Sequence, residues 1–131
     1  MSRGQYFCSL LGTYFEVGLG ACGVYNVDTD HIVAVSEALF DSYPETSPGN
    51  PNTNAVCNRV ITISCAYCII KALFTVRTNK FADGGVTQQA IITDRCAGCA
   101  GWGDLDMSPS LFQTFAPEAV GRLYGVNWYF N

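Results

Sequence analysis

The chain is poor in histidine, in charge and in long apolar runs, and each shortage excludes a class of function. Histidine occurs once, as His31, which withholds the commonest general base and metal ligand from most catalytic schemes. Charged residues make up 14% of the sequence and the net charge is −4. A protein that neutralises phosphates needs a basic face, so nucleic acid is excluded as a partner. No apolar run reaches about 18 residues, so no membrane span is predicted. What is present is a 49% hydrophobic fraction in 131 residues, enough for one core and too apolar for a disordered chain. One domain, a monomer without cofactor or metal, is the expectation.

Cysteine, by contrast, is abundant: seven in a chain this short point to an oxidising compartment. The start of the chain does not display a leader. Met1, Ser2, Arg3 and Gly4 precede an apolar stretch at residues 6–11 that is too short and broken for a signal-peptide core. An extracellular location is therefore expected with the signal peptide missing from this chain, and residues 1–11 are read as irregular or misassigned sequence ahead of a domain at 12–131.

Along the chain, Gly12-Thr13-Tyr14-Phe15 running into a glycine-rich segment reads as a strand ending in a tight loop. Residues 31–35, 59–64 and 86–93 are strands by their β-branched content, and 36–40 is a helical turn. The Pro, Asn, Ser and Gly of residues 43–54 mark an ordered surface loop. Ser108-Pro109 begins a helix, with serine as cap and proline in the first turn; Leu111, Phe112 and Phe115 share one face of it. Gly121 ends that unit and residues 123–130 form a terminal strand. Short strands, glycine loops and one or two short helices make a small, mainly β barrel.

Three blocks carry a family resemblance. They are Gly12-Thr13-Tyr14-Phe15-Glu16-Val17-Gly18-Leu19-Gly20-Ala21-Cys22-Gly23, then Asn50-Pro51-Asn52-Thr53-Asn54-Ala55-Val56-Cys57, then Thr93-Asp94-Arg95-Cys96-Ala97-Gly98-Cys99-Ala100. The last continues through Asp104-Leu105-Asp106-Met107-Ser108-Pro109-Ser110 to Gly125-Val126-Asn127-Trp128. In this order the chain resembles fungal expansin-like and loosenin-like proteins related to rare lipoprotein A, over residues 12–64 and 83–130. The resemblance implies a six-stranded double-psi β-barrel without the second, carbohydrate-binding domain of full expansins. It also implies binding to a cell-wall polysaccharide such as cellulose, chitin or another glucan.

Residues 65–82 interrupt that pattern. The codons of Cys65-Ala66-Tyr67 can contain a splice donor, those of Thr78-Asn79 a branch point and those of Phe81-Ala82-Asp83 an acceptor, so the segment is read as a retained intron. This bears on a tempting metal motif. Cys65-x2-Cys68 with Cys96-x2-Cys99 resembles a four-thiolate zinc site, but the gap is longer than usual and the first pair lies in the suspect segment. No metal is expected. Cys22, Cys57, Cys96 and Cys99 remain as disulfide candidates, with three connectivities open.

The resemblance implies a groove lined by Thr13, Asp94 and Asp106, with Asp106 as the candidate acid. Asp106 also suits a plainer role, holding loop N–H groups or the helix start, and Thr13 could be sheet filler. Where expansins carry a tyrosine two positions after the first aspartate, this chain has Cys96. Tyr14, Phe15, Tyr25 and Trp102 are candidate replacements as sugar-stacking rings, with Trp102 the best placed and Trp128 and Phe112 assigned to the core. Inverting hydrolysis needs two carboxyl groups about 6.5–9.5 Å apart. Glu16 sits one residue away from the position of the base in related endoglucanases, and a one-residue shift reverses the face of a strand. The reading is therefore wall binding and loosening without hydrolysis. A protease inhibitor or host-directed effector, acting through exposed loops such as 43–54, is the alternative.

Overall fold

The structure, a computed structural model, describes residues 6–65 and 86–131. Within them lie β1 (Tyr6–Tyr14), β2 (Ile32–Ser36), α1 (Glu37–Asp41), β3 (Val60–Cys65), β4 (Val86–Cys96), β5 (Leu105–Met107), α2 (Pro109–Gln113) and β6 (Leu123–Phe130). These six described strands close a barrel in the order β1-β5-β2-β4-β3-β6. The β1/β5 and β2/β4 pairs are parallel and the other four are antiparallel. Among the described residues the architecture is thus a mainly β, six-stranded double-psi barrel with two short α-helices.

Alternation builds the interior. Val33 and Val35, Ile61 and Ile63, Leu105 and Met107, and Val126 and Trp128 are all buried, each pair two residues apart and so on one face of its strand. Leu39 and Phe40 of α1 and Leu111, Phe112 and the following Phe115 belong to the same buried core. Trp128, fully buried, donates its indole N–H to the Gly103 carbonyl at 2.8 Å, which meets the need of a polar edge in an apolar place. Gly12 sits where strands crowd: a Cβ there would come within 2.9 Å of Met107 Cε and 3.2 Å of Val126 Cγ2.

Three features differ from the sequence expectation. Strand β1 starts at Tyr6 and pairs with β6 through Tyr6↔Tyr129 and Phe7↔Trp128, so the barrel takes in residues placed ahead of the domain by the boundary at 12. Ser108 does not cap α2; fully buried, it accepts a hydrogen bond from Ile32 N–H at 3.3 Å and donates its own N–H to Ile32 O at 3.0 Å. It joins the helix entry to β2 instead. Strand β5, only three residues long, was not foreseen, because Leu105-Asp106-Met107 has no run to reveal it.

Register carries β3 to Cys65 and β4 from Val86, with those two residues paired. The proposed retained intron, residues 65–82, lies outside the described residues except for Cys65. Among the described residues no helix is long and apolar enough to cross a membrane.

Candidate functional site

One rung of the barrel assembles the site. In register, Thr13 of β1 pairs with Asp106 of β5, Asp106 pairs with Ala34 of β2, and Ala34 pairs with Asp94 of β4. Partners across a ladder point to the same face. Thr13, Asp106, Ala34 and Asp94 therefore form a transverse row, with the small Ala34 between two aspartates. Neighbouring strands lie about 4.8 Å apart, so the aspartate Cα atoms stand roughly 10 Å from each other. The alanine leaves a hollow between them. A groove of about 410 Å³ follows, lined by Thr13, Phe15, Ala34, Asp94, Asp106 and Arg122 together with Arg95, Asp104 and the segment 96–100.

The β-bulge in β4 makes this alignment possible. Pairing with β2 jumps from Val33↔Ile92 to Ala34↔Asp94, leaving Thr93 as the extra residue. Its carbonyl accepts the Cys22 N–H at 3.1 Å, and Asp94 Oδ1 accepts the Ala21 and Arg95 N–H groups, each at 2.8 Å. Gly20 permits the close approach: a Cβ at that position would run into the Thr93 carbonyl. Loop 20–23 is therefore clamped to β4, and the Cys22–Cys57 disulfide anchors it further.

Asp106 is the chemically distinctive group. Its Oδ1 accepts a hydrogen bond from Thr13 Oγ1 at 2.7 Å, so Thr13 is more than sheet filler. Burial is the largest influence on this carboxyl and pushes its pKa above the usual aspartate value; nearby Asp94 pushes the same way, while the Thr13 hydrogen bond opposes them. Asp104, one rung off, is committed elsewhere: Oδ1 takes the Leu11 N–H at 3.0 Å and Oδ2 the Gly101 N–H at 2.9 Å. It fixes the loop before β5. Ser36 helps, donating to the Trp102 carbonyl at 2.6 Å while accepting from Leu39 N–H at 3.1 Å as the cap of α1.

The expected residues thus divide. Thr13, Asp94 and Asp106 come together. Tyr14 does not join them: strand alternation turns it away, its hydroxyl donates to the Glu118 carbonyl at 3.0 Å and its ring packs on Phe112 at 4.7 Å. Trp102 is partly exposed on the loop before β5 but is not among the groove-lining residues. Phe15, two residues beyond Thr13, supplies the aromatic surface in the groove. Tyr25 is exposed on the loop after β1, and Glu16 is exposed and outside the groove.

Arg95 and Arg122 were missed as groove residues. Arg95 is held by α1, at 2.7 Å from Asp41 and 3.0 Å from Glu37, and its hydrogen bond to Asp41 lowers that carboxyl's pKa. Nothing local in the sequence signals that pairing, which spans more than fifty positions. The four candidate cysteines pair as Cys22–Cys57 and Cys96–Cys99, and Cys65 is also disulfide-bonded. In this form none of Cys65, Cys96 and Cys99 offers the thiolate that the zinc motif requires.

The closed six-stranded barrel has the double-psi β-barrel fold, with the Thr13–Asp106–Ala34–Asp94 rung in its groove. No protein-family model matches the chain. Among curated proteins it is similar to Allergen Asp f 7 of Aspergillus fumigatus, 45% identical over 125 residues that cover 91% of this chain and 35% of the allergen. The chain thus spans about a third of that relative's length. Among solved structures it resembles a Streptomyces papain inhibitor, with a TM-score of 0.69 and 26% identity over 97% of this chain and 94% of the inhibitor. It also resembles an expansin of Clavibacter michiganensis solved with cellohexaose, with a TM-score of 0.62 and 16% identity over 97% of this chain and 50% of the expansin.

Proposed function

We propose that the chain is a secreted protein that binds cell-wall polysaccharide in the Thr13–Asp106–Ala34–Asp94 groove and loosens it without hydrolysis. The observation that carries this reading is the rung itself: an open furrow with one hydroxyl and two carboxyl groups in line, flanked by Phe15 and Arg122. Such groups exchange hydrogen bonds with sugar hydroxyls while the ring of Phe15 offers an apolar face. Hydrolysis would need a second carboxyl beside Asp106 to activate a water; Glu16 lies outside the groove, and Asp94 Oδ1 is engaged by two backbone N–H groups in holding loop 20–23 to β4, so we favour binding over hydrolysis. The disulfides fit an oxidising, extracellular setting.

Retention on insoluble cellulose and chitin tests the reading. Binding above an albumin control, weakened by Asp106→Asn, is expected; retention equal to albumin on both would remove its basis.

A second reading, inhibition of a papain-like protease, is favoured by the likeness to the Streptomyces inhibitor across nearly its whole length. Inhibition would work through exposed loops, either residues 43–54 or the turn carrying the exposed Leu19, Tyr25 and Val27. Asp106→Asn separates the two, because it should weaken glycan retention and leave papain inhibition unchanged.

A further inference from the structure

The two described disulfides are built differently. Cys22–Cys57 joins residues 35 positions apart, and Cys22 is buried in the core. Cys96–Cys99 spans only three positions, both cysteines are half-buried, and the Ala97-Gly98 turn between them is exposed. Nothing lies within 4 Å of where a Gly98 Cβ would be, so the turn is open to an approaching reagent. Closing so short a loop removes little entropy from the unfolded chain, whereas closing the longer one removes more. Exposed, weakly held disulfides are the ones that exchange with thiols.

The short disulfide also belongs to the groove. Cys96 and Cys99 both line it, and Cys96 Sγ lies 3.8 Å from Asp106 Oδ2, the oxygen opposite the one bonded to Thr13. A disulfide sulfur carries no hydrogen and gives that oxygen nothing. A Cys96 thiol would carry one. We propose that the Cys96–Cys99 disulfide is a thiol-exchange site opened by a dithiol, and that its redox state decides whether Asp106 receives a second hydrogen bond.

The step balances as ordinary exchange. One thiolate of the dithiol attacks either sulfur, the Cys96–Cys99 bond breaks, and a mixed disulfide forms as the other cysteine leaves as thiolate. The reagent's second thiolate then attacks its own sulfur in the mixed disulfide, closing the reagent's disulfide and releasing the second cysteine. The dithiol is oxidised, the protein disulfide is reduced, and the two protons lost by the reagent end on Cys96 and Cys99. With Cys96 protonated, its S–H donates to Asp106 Oδ2 and favours the ionised carboxyl, acting with Thr13. Asp94, Asp104, Arg95 and Arg122 line the same groove and are unchanged by the step.

Limited dithiothreitol treatment of the intact chain, quenched with N-ethylmaleimide and followed by peptide mapping, tests the exchange. Labelling of Cys96 and Cys99 roughly tenfold faster than of Cys22 and Cys57 is expected; equal labelling, or earlier labelling of Cys22 and Cys57, overturns the proposal. Carboxyl carbon NMR titration of Asp106 below pH 7, before and after that reduction, tests the coupling. A downward move of the Asp106 midpoint on reduction is expected, and an unchanged or raised midpoint overturns it. Neither measurement uses a glycan, so failure here leaves the binding reading standing, and failure of that reading leaves this one standing.

Discussion

Removing the two described disulfides in turn should have unequal consequences. In the chain-entropy account, a cross-link stabilises by excluding open conformations from the unfolded ensemble, and the gain grows with the logarithm of loop length. The Cys22–Cys57 loop, with a separation of 35, gives about 4 kcal/mol by that relation. The Cys96–Cys99 loop, with a separation of 3, gives about 2 kcal/mol. Native contacts widen the gap. The Cys22 amide is bonded to Thr93 O at 3.1 Å, and the adjacent Ala21 amide holds Asp94, so loosening this loop also loosens β4. A Cys22→Ala/Cys57→Ala variant should lose about 4 kcal/mol in urea unfolding, or roughly 12–16 °C in Tm for a domain of this size. The Cys96→Ala/Cys99→Ala variant should lose about half as much. Equal losses, or a larger loss from the second pair, would refute the assignment of one bond to stability and the other to the groove.

Other consequences follow from single contacts. Asp106 has its folded pKa raised above the unfolded value of 3.8, so its contribution to stability is fully present below that value and is lost as pH rises through the folded pKa. Asp106→Asn should therefore gain stability relative to the parent chain as pH rises from acid to neutral, measured by urea unfolding of both at several pH values; a difference that does not change with pH would count against a perturbed Asp106. Thr13→Val removes the hydrogen bond that lowers this pKa and should raise the Asp106 midpoint further in an NMR titration. Gly20→Ala should cost about 1–3 kcal/mol, since a Cβ meets the backbone carbonyl of Thr93, which cannot swing aside; thermal denaturation checks it. Arg95→Ala should change stability by less than about 1 kcal/mol, because both of its ion pairs are solvent-exposed.

Much of this was legible before the fold was seen, where local pattern and tertiary demand agree. The β-branched segments became β2, β3 and β4, and β6 ends where the last apolar alternation ends. Leu111, Phe112 and Phe115 are buried together, as their helical spacing required. Ser108 shows where local chemistry fails: it has the identity of a cap, yet full burial against β2 gives its hydroxyl a different partner. Strand β5 exists because β1 and β2 offer it ladders on both sides, a condition no three-residue sequence can announce. Of the groove, Thr13, Asp94 and Asp106 could be carried over by resemblance, but Ala34 could not, since an alanine becomes a floor only when aspartates flank it. Phe15 was one of four candidate rings, behind Trp102 and with Tyr14 placed in the groove, although alternation along β1 puts Thr13 and Phe15 on one face and Tyr14 on the other. The disulfide pairing had three solutions on paper and required the fold to choose.

The groove reading is tested most directly by titrating isotopically labelled protein with cellohexaose and chitohexaose and following the backbone amides. Perturbations should gather at Thr13, Phe15, Ala34, Asp94, Asp106 and Arg122, and diminish in Asp106→Asn. Saturating oligosaccharide that moves none of these amides, or moves only those of Leu19, Tyr25 and Val27, would contradict it.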